Sequence, residues 1–132
     1  MKEPVWIEKG DALALHDRLL TLDGGAAGLR DDGLLESALA RPQQHYSYAY
    51  AGILELAAIY TAGILRNHPF VDGNKRTGFL VGILFLELNG YWFHASEESA
   101  AQAVLALAAG KLDEAGYGAF LRANAPRAKR RK

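Results

Sequence analysis

Cysteine is absent from this 132-residue chain. Its absence excludes a disulfide scaffold and thiolate chemistry and fits a reducing compartment. Long apolar runs are missing too, since the longest fall well short of the ~20 residues that a membrane span needs. The N-terminus, MKEPVWIEKGD, has no basic flank leading into an apolar signal core, so the chain is expected to be cytoplasmic, with no membrane partner. Net charge is lacking as well, with 15 Lys and Arg against 15 Asp and Glu. That balance hides an asymmetry. Arg127, Lys129, Arg130, Arg131 and Lys132 crowd the last ten residues, which carry no acid, so the body before them is net acidic. A cationic terminus of this kind is ordinarily a solvated end, and no direct nucleic-acid binding is expected from it.

With 50% apolar residues and no internal repeat, the chain is sized for one core. The expected division is one domain over 1–122 and a basic, disordered tail over 123–132. The spacing predicts an all-α fold of about six helices. Val5 to Glu8 can form a short strand. A first helix, N-capped by Asp11, runs to about Leu22 and stops at Gly24 and Gly25. A short second helix spans Leu34 to Arg41 and ends at Pro42. An aromatic loop, QQHYSYAYAG, follows, and its three tyrosines either line a cleft or cover the edge of the core. Ile53 to Asn67 and Gly73 to Asn89 are apolar around most of their circumference, as buried helices are. Small residues four apart, Ala58 with Ala62 and Gly78 with Gly82, offer strips for close helix packing. Ser96 caps a further helix that ends at Gly110, after a short extended piece at YWFHA, and a last helix runs from about Asp113 to Ala123.

Between the two central helices lies HPFVDGNKR, from His68 to Arg76. His68 can accept a proton near neutral pH, its unperturbed pKa being ~6.5. Asp72 can ligate a hard cation, and Gly73 lets a ligand approach the backbone. The helix that begins here presents unpaired N–H groups to an anion. Lys75 and Arg76 occupy the helix end where cations are unfavourable unless an anion compensates them. Singly, each residue has a plainer reading as a cap or a solvated face. Jointly they describe a phosphate-transfer site. With ATP across the helix start, Asp72 would hold Mg²⁺, Asn74 would donate to a phosphate, Arg76 would bind one bidentately, and His68 would be the general base. Arg66 either reaches the same anion or compensates the end of its own helix. A metal site of His68 and Asp72 alone supplies too few ligands for structural zinc. His16, His45 and His94 are read as structural.

This loop resembles the motif of the Fic/Doc (Fido) superfamily: His, any, Phe, any, Asp or Glu, Gly or Ala, Asn, Gly or Lys, Arg. Lysine at position 75 is similar to the death-on-curing (Doc) branch, whereas the members that transfer AMP mostly have glycine there. GLRDDGLLESALARPQ, from Gly28 to Gln43, also looks like the Doc-type region before the motif, and the resemblance covers most of residues 5–122. It implies a toxin of a type II toxin–antitoxin system, a kinase that moves the γ-phosphate of ATP to a Ser/Thr hydroxyl of a translation factor, elongation factor Tu. It further implies His68, Asp72 and Arg76 as catalytic residues. Gly73, Asn74, Lys75, Arg76 and Arg66 would bind the nucleotide, Asp72 the Mg²⁺. A small Phd-like antitoxin, whose C-terminal segment folds on the toxin, is the implied partner. No inhibitory Ser/Thr-x-x-x-Glu-Gly/Asn motif is present, so inhibition in cis is not expected. The alternatives are AMP transfer by the same loop and a binding protein without chemistry.

Overall fold

A computed structural model describes residues 3–49 and 51–127. Six helices and no extended strand make up the described residues: α1 (Lys9–Asp23), α2 (Asp32–Ala49), α3 (Ile53–Asn67), α4 (Asn74–Leu88), α5 (Glu97–Ala108) and α6 (Glu114–Asn124). The expected all-α fold is what forms. None of these helices is long and apolar enough to cross a membrane.

Helix α3 is the axis of the bundle. It is buried from Leu56 to Ile64 without interruption, which explains why apolar residues recur all round it rather than on one stripe. Helices α2, α4 and α6 pack against it. The small residues set how near they come. At Gly82 of α4 a Cβ would stand 2.4 Å from Thr61 Oγ1 and 3.2 Å from Ala57 O, and at Gly78 it would stand 3.3 Å from Thr61 O. The Thr61 hydroxyl donates to Gly78 O at 2.8 Å across the same contact. On the other side, a Cβ at Gly118 of α6 would meet Ala58 at 3.8 Å, an ordinary contact.

Several local expectations are corrected. Asp11 is not the N-cap of α1. Glu8 is, and Asp11 sits at N3, where its carboxylate accepts the Glu8 N–H at 2.8 Å. Val5 to Glu8 forms no strand. The Ile7 N–H donates to the Tyr60 hydroxyl at 3.0 Å, and Val5 exchanges hydrogen bonds with the Asn89 side chain, so side chains take the places a neighbouring strand would fill. Burial pushes the Tyr60 phenol up to about 12, so it remains a neutral anchor. Helix α2 does not end at Pro42 but runs seven residues further. Proline removes one helical hydrogen bond and leaves Ala38 O without its donor. Packing retains the helix there: Pro42 and Ala38 are both buried, and Ala38 lies against Gly63 of α3. The expected aromatic loop is thus mostly helix. Tyr46 stacks edge-on against Trp6 at 5.5 Å and covers the core, Tyr48 is exposed, and Tyr50 lies outside the described residues.

Part of the segment expected as tail is described and packs on the bundle. Ala125 is buried, and Asn124 O and Pro126 O accept the N–H groups of His94 and Trp92. Residues 123–127 therefore belong to the fold, while 128–132 lie outside the described residues.

Helix α6 is tied to the bundle by Glu114, which accepts two hydrogen bonds from Arg41, at 2.7 and 3.1 Å, and one from Arg66, at 3.0 Å. Burial alone would raise this carboxyl, but the hydrogen bonds and charges of the two arginines outweigh it and hold the group below the usual glutamate value. A lowered folded-state pKa makes the stabilisation complete above the unfolded value and lost as pH falls through the folded one. The stability gap between wild type and Glu114→Gln should therefore shrink on acidification from roughly pH 7 to 3, as measured by urea unfolding. A gap that stays constant would show that the ionised bridge adds nothing.

Candidate active site

The loop between α3 and α4 begins with an unusual backbone. His68 caps the C-terminus of α3 with φ 51° and ψ 53°, and it is the one non-glycine with positive φ among the described residues. An L-residue in this left-handed region is strained, and a following proline favours extended geometry instead. The imidazole is exposed. Gly73, at φ 77°, is the N-cap of α4 and has the conformation that glycine alone takes freely.

Three groups of contacts hold the loop in this shape. Asn74 is buried, and its amide both accepts from the Phe70 N–H and donates to Phe70 O, each at 2.9 Å. It staples the loop internally, with one of its two amide N–H groups engaged by Phe70 O. From α1, His16 stacks on Phe70 at 3.9 Å between centroids, and its Nε2 lies 2.8 Å from Asp72 O. A carbonyl only accepts, so Nε2 carries the proton. From the segment before α2, Arg30 donates through Nε to His68 O at 2.6 Å and through Nη2 to Asn67 O at 2.9 Å. The N–H groups of Arg30 and Asp31 both donate to Pro69 O, and Val71 N–H donates to Gly28 O.

Asp72 is exposed, with Oδ1 accepting from the Gly73 N–H at 2.8 Å and Oδ2 from the Ala26 N–H at 3.3 Å. Both oxygens keep lone pairs. No cluster of three or more potential ligands occurs among the described residues, but Mg²⁺ commonly takes one or two carboxylates and completes its shell with phosphates and water. Asp72 fits that mode.

The start of α4 has the features that suit an anion. Its first turn holds no acid, its N-cap has no side chain, and no side chain caps it. The N–H groups of Asn74, Lys75 and Arg76 lack intrahelical acceptors by helix geometry. One turn in, the buried Thr77 hydroxyl has no hydrogen-bond partner among the described residues. Arg76 pairs with Asp23. This pair matches two misplaced charges, a cation at the positive end of α4 and a carboxylate at the negative end of α1. Lys75 is exposed beside it. Gly73, Asp72, Arg76, Asp23, Gly24 and His16 border a cleft of about 120 Å³.

The structure does not bring Arg66 to this cleft. Its guanidinium turns to Glu114 and lines a larger cavity of about 560 Å³ between α3 and the α5–α6 turn. In that cavity Arg41 and Arg66 already share Glu114. His45 stacks on Tyr48 within α2, and the His94 backbone bonds to Asn124; neither is bonded to the loop.

The family model for the Fic/DOC family matches residues 6–86 of this chain. The chain belongs to that family. The protein named "Protein kinase doc" from Escherichia phage P1 is 35% identical over 95 residues, 71% of this chain and 75% of that protein. "Toxin Doc" from Mycolicibacterium smegmatis (strain ATCC 700084 / mc(2)155) is 44% identical over 69 residues, 51% of this chain and 53% of that relative. The span matching the Fic/DOC model takes in the whole loop together with His16, Asp23 and Arg30. Sequence reasoning assigned none of these three to the site. They lie 38 to 56 positions from their loop partners, beyond any local spacing rule. Their one signal is that Arg30 falls in the Doc-like segment before the motif.

Proposed function

We propose that this protein is a Doc-like toxin, a kinase that transfers the γ-phosphate of ATP to a Ser/Thr hydroxyl of a translation factor, with elongation factor Tu as the substrate that the family resemblance suggests. The observation that carries the reading is the uncapped N-terminus of α4, with Lys75 and Arg76 in its first turn and an exposed imidazole at the other end of a six-residue loop. A cleft of about 120 Å³ suits a phosphate group; it is well below the roughly 300 Å³ at which pockets begin to enclose a whole drug-sized ligand. The nucleoside would therefore lie over the surface.

In this mechanism His68 accepts the proton of the substrate hydroxyl as its oxygen bonds the γ-phosphorus. The bond from that phosphorus to the β–γ bridging oxygen breaks, and ADP leaves. The free N–H groups of α4, Lys75 and Arg76 orient the phosphates and meet the charge that develops on them. Mg²⁺, held by Asp72, would supply charge neutralisation on the phosphate oxygens. Asn74 acts by holding the loop, and Gly73 by the conformation that starts the helix. Lys75, where AMP-transferring relatives have glycine, fills space beside the phosphates and favours presentation of the terminal one. A small antitoxin that folds on this chain is the proposed partner, and the cytoplasm the proposed compartment.

ATP labelled in turn at the γ- and α-phosphate distinguishes kinase from AMP transfer. The reading requires label in elongation factor Tu from the γ-position alone; α-label would establish AMP transfer by the same loop. Asp23 gives a second expectation. Its carboxylate occupies Arg76 and repels phosphate, so Asp23→Asn should tighten Mg·ATP binding about three- to tenfold in calorimetric titration, more at low salt. Weaker binding would mean that Asp23 instead orders Arg76 for the ligand.

A further inference from the structure

The carbonyls that end α3 converge on one side chain. An α-helix leaves its last carbonyls without intrahelical donors, and here Arg30 reaches two of them, Asn67 O at 2.9 Å and His68 O at 2.6 Å, while its own N–H takes Pro69 O at 2.6 Å. Arg30 thus contacts three consecutive carbonyls around the strained residue, the last of them shared with the Asp31 N–H. An ordinary C-terminal cap would need a single contact and would be placed as well by lysine. Arg30 differs in using two nitrogens of its planar fork on adjacent carbonyls, which fixes the orientation of the His68 peptide as well as its position.

Left to itself, His68 has reasons to go elsewhere. It lacks the freedom of glycine at φ 51°, and the proline after it favours extended backbone. Neither its ring nor its N–H supplies a tether to the segment before α2; its N–H bonds back to Ile64 O within its own helix. The link that ties the His68 peptide to that segment is therefore the guanidinium.

We propose that Arg30 is the positioning residue for His68, holding the His68 peptide left-handed and so fixing the direction in which the imidazole leaves the loop. The inference rests on the reading of His68 as the base. Arg30 touches no reacting atom, and its effect is transmitted wholly through the direction of the imidazole. It is exposed, so its replacement leaves the core intact.

The test compares Arg30→Ala, Arg30→Lys, His68→Ala and the double variant Arg30→Ala/His68→Ala, by phosphate transfer and by the backbone chemical shifts and three-bond HN–Hα coupling of His68. Arg30→Ala should lower kcat about 10- to 100-fold, the size expected for a misplaced catalytic group, with KM for ATP changed less than about twofold. Arg30→Lys should recover little of this, and millimolar guanidinium should recover part. In the His68→Ala background the same change should cost nothing further, because the base it positions is gone. His68 should leave the left-handed region in Arg30→Ala. Retained left-handed geometry, or an equal loss of kcat with and without His68, would overturn the proposal. Full activity in His68→Ala would instead overturn the base reading, and the backbone measurement would still decide what Arg30 holds.

Discussion

Replacement of His68 by alanine should lower phosphate transfer about 10²- to 10⁴-fold and end growth arrest while leaving the protein folded. General-base catalysis contributes about that much, and the other imidazole at the loop is not free to replace it: His16 is buried, with its Nε2–H on Asp72 O. The His68 ring is exposed, so its loss leaves no cavity. His68→Gly sharpens the expectation. Glycine takes φ 51° without penalty, so this variant should be more stable than wild type by about 1 kcal/mol and equally inactive. Stability and activity would move in opposite directions at one position, as they do where strain serves a site. Thermal unfolding beside the transfer assay checks both. Activity surviving in either variant would remove His68 from the chemistry, and a loss of stability in His68→Gly would show that its backbone is not strained.

The largest loss of stability is expected from Gly82→Ala. The added methyl would fall 2.4 Å from Thr61 Oγ1, with Ala57 O at 3.2 Å behind it. Thr61 is fully buried and its hydroxyl is committed to Gly78 O at 2.8 Å. It can yield only by breaking that bond or by pushing α4 away from α3. Overpacking costs about 1–3 kcal/mol and a broken buried hydrogen bond about 1–3 more. At about 3–5 °C per kcal/mol for a domain of this size, the melting temperature should drop by 6 °C or more. Gly118→Ala is the control. It sits in a helix with 3.8 Å to its nearest neighbour, where the alanine should be neutral or stabilising by up to about 1 kcal/mol. If the two variants melt alike, the glycine strip is not what sets the α3–α4 distance.

That strip was legible in the sequence, as were α3, α4, the Ser96 cap and the Asp113 start of α6, because each depends on neighbours within a turn or two. Pro42 was misleading for the same reason. Its local rule is sound, but burial against α3 overrides it, and nothing near it in the chain reports that burial. The loop carried its reactive residues in nine consecutive positions, so they were found together. The residues that shape it come from α1 and the segment before α2. Asn74 shows the limit from inside the motif: spacing revealed a donor at the helix start, and only the fold reveals that its side chain is buried and bonded to Phe70. Arg66 is a similar case, near His68 in sequence yet drawn to Glu114 by a helix that begins 48 residues later. Of the two cations at the start of α4, Arg76 is answered by Asp23, and among the described residues no carboxylate in that first turn answers Lys75.

The most direct test of a phosphoryl-transfer site at this loop is the intact mass of elongation factor Tu after incubation with the protein, ATP and Mg²⁺, beside a His68→Ala control. The account requires a gain of one phosphate, about 80 Da, with the wild type and none with the variant. A gain of about 329 Da would keep the site but replace the kinase with AMP transfer. An unchanged mass while growth arrest persists in His68→Ala would contradict catalysis at this loop altogether.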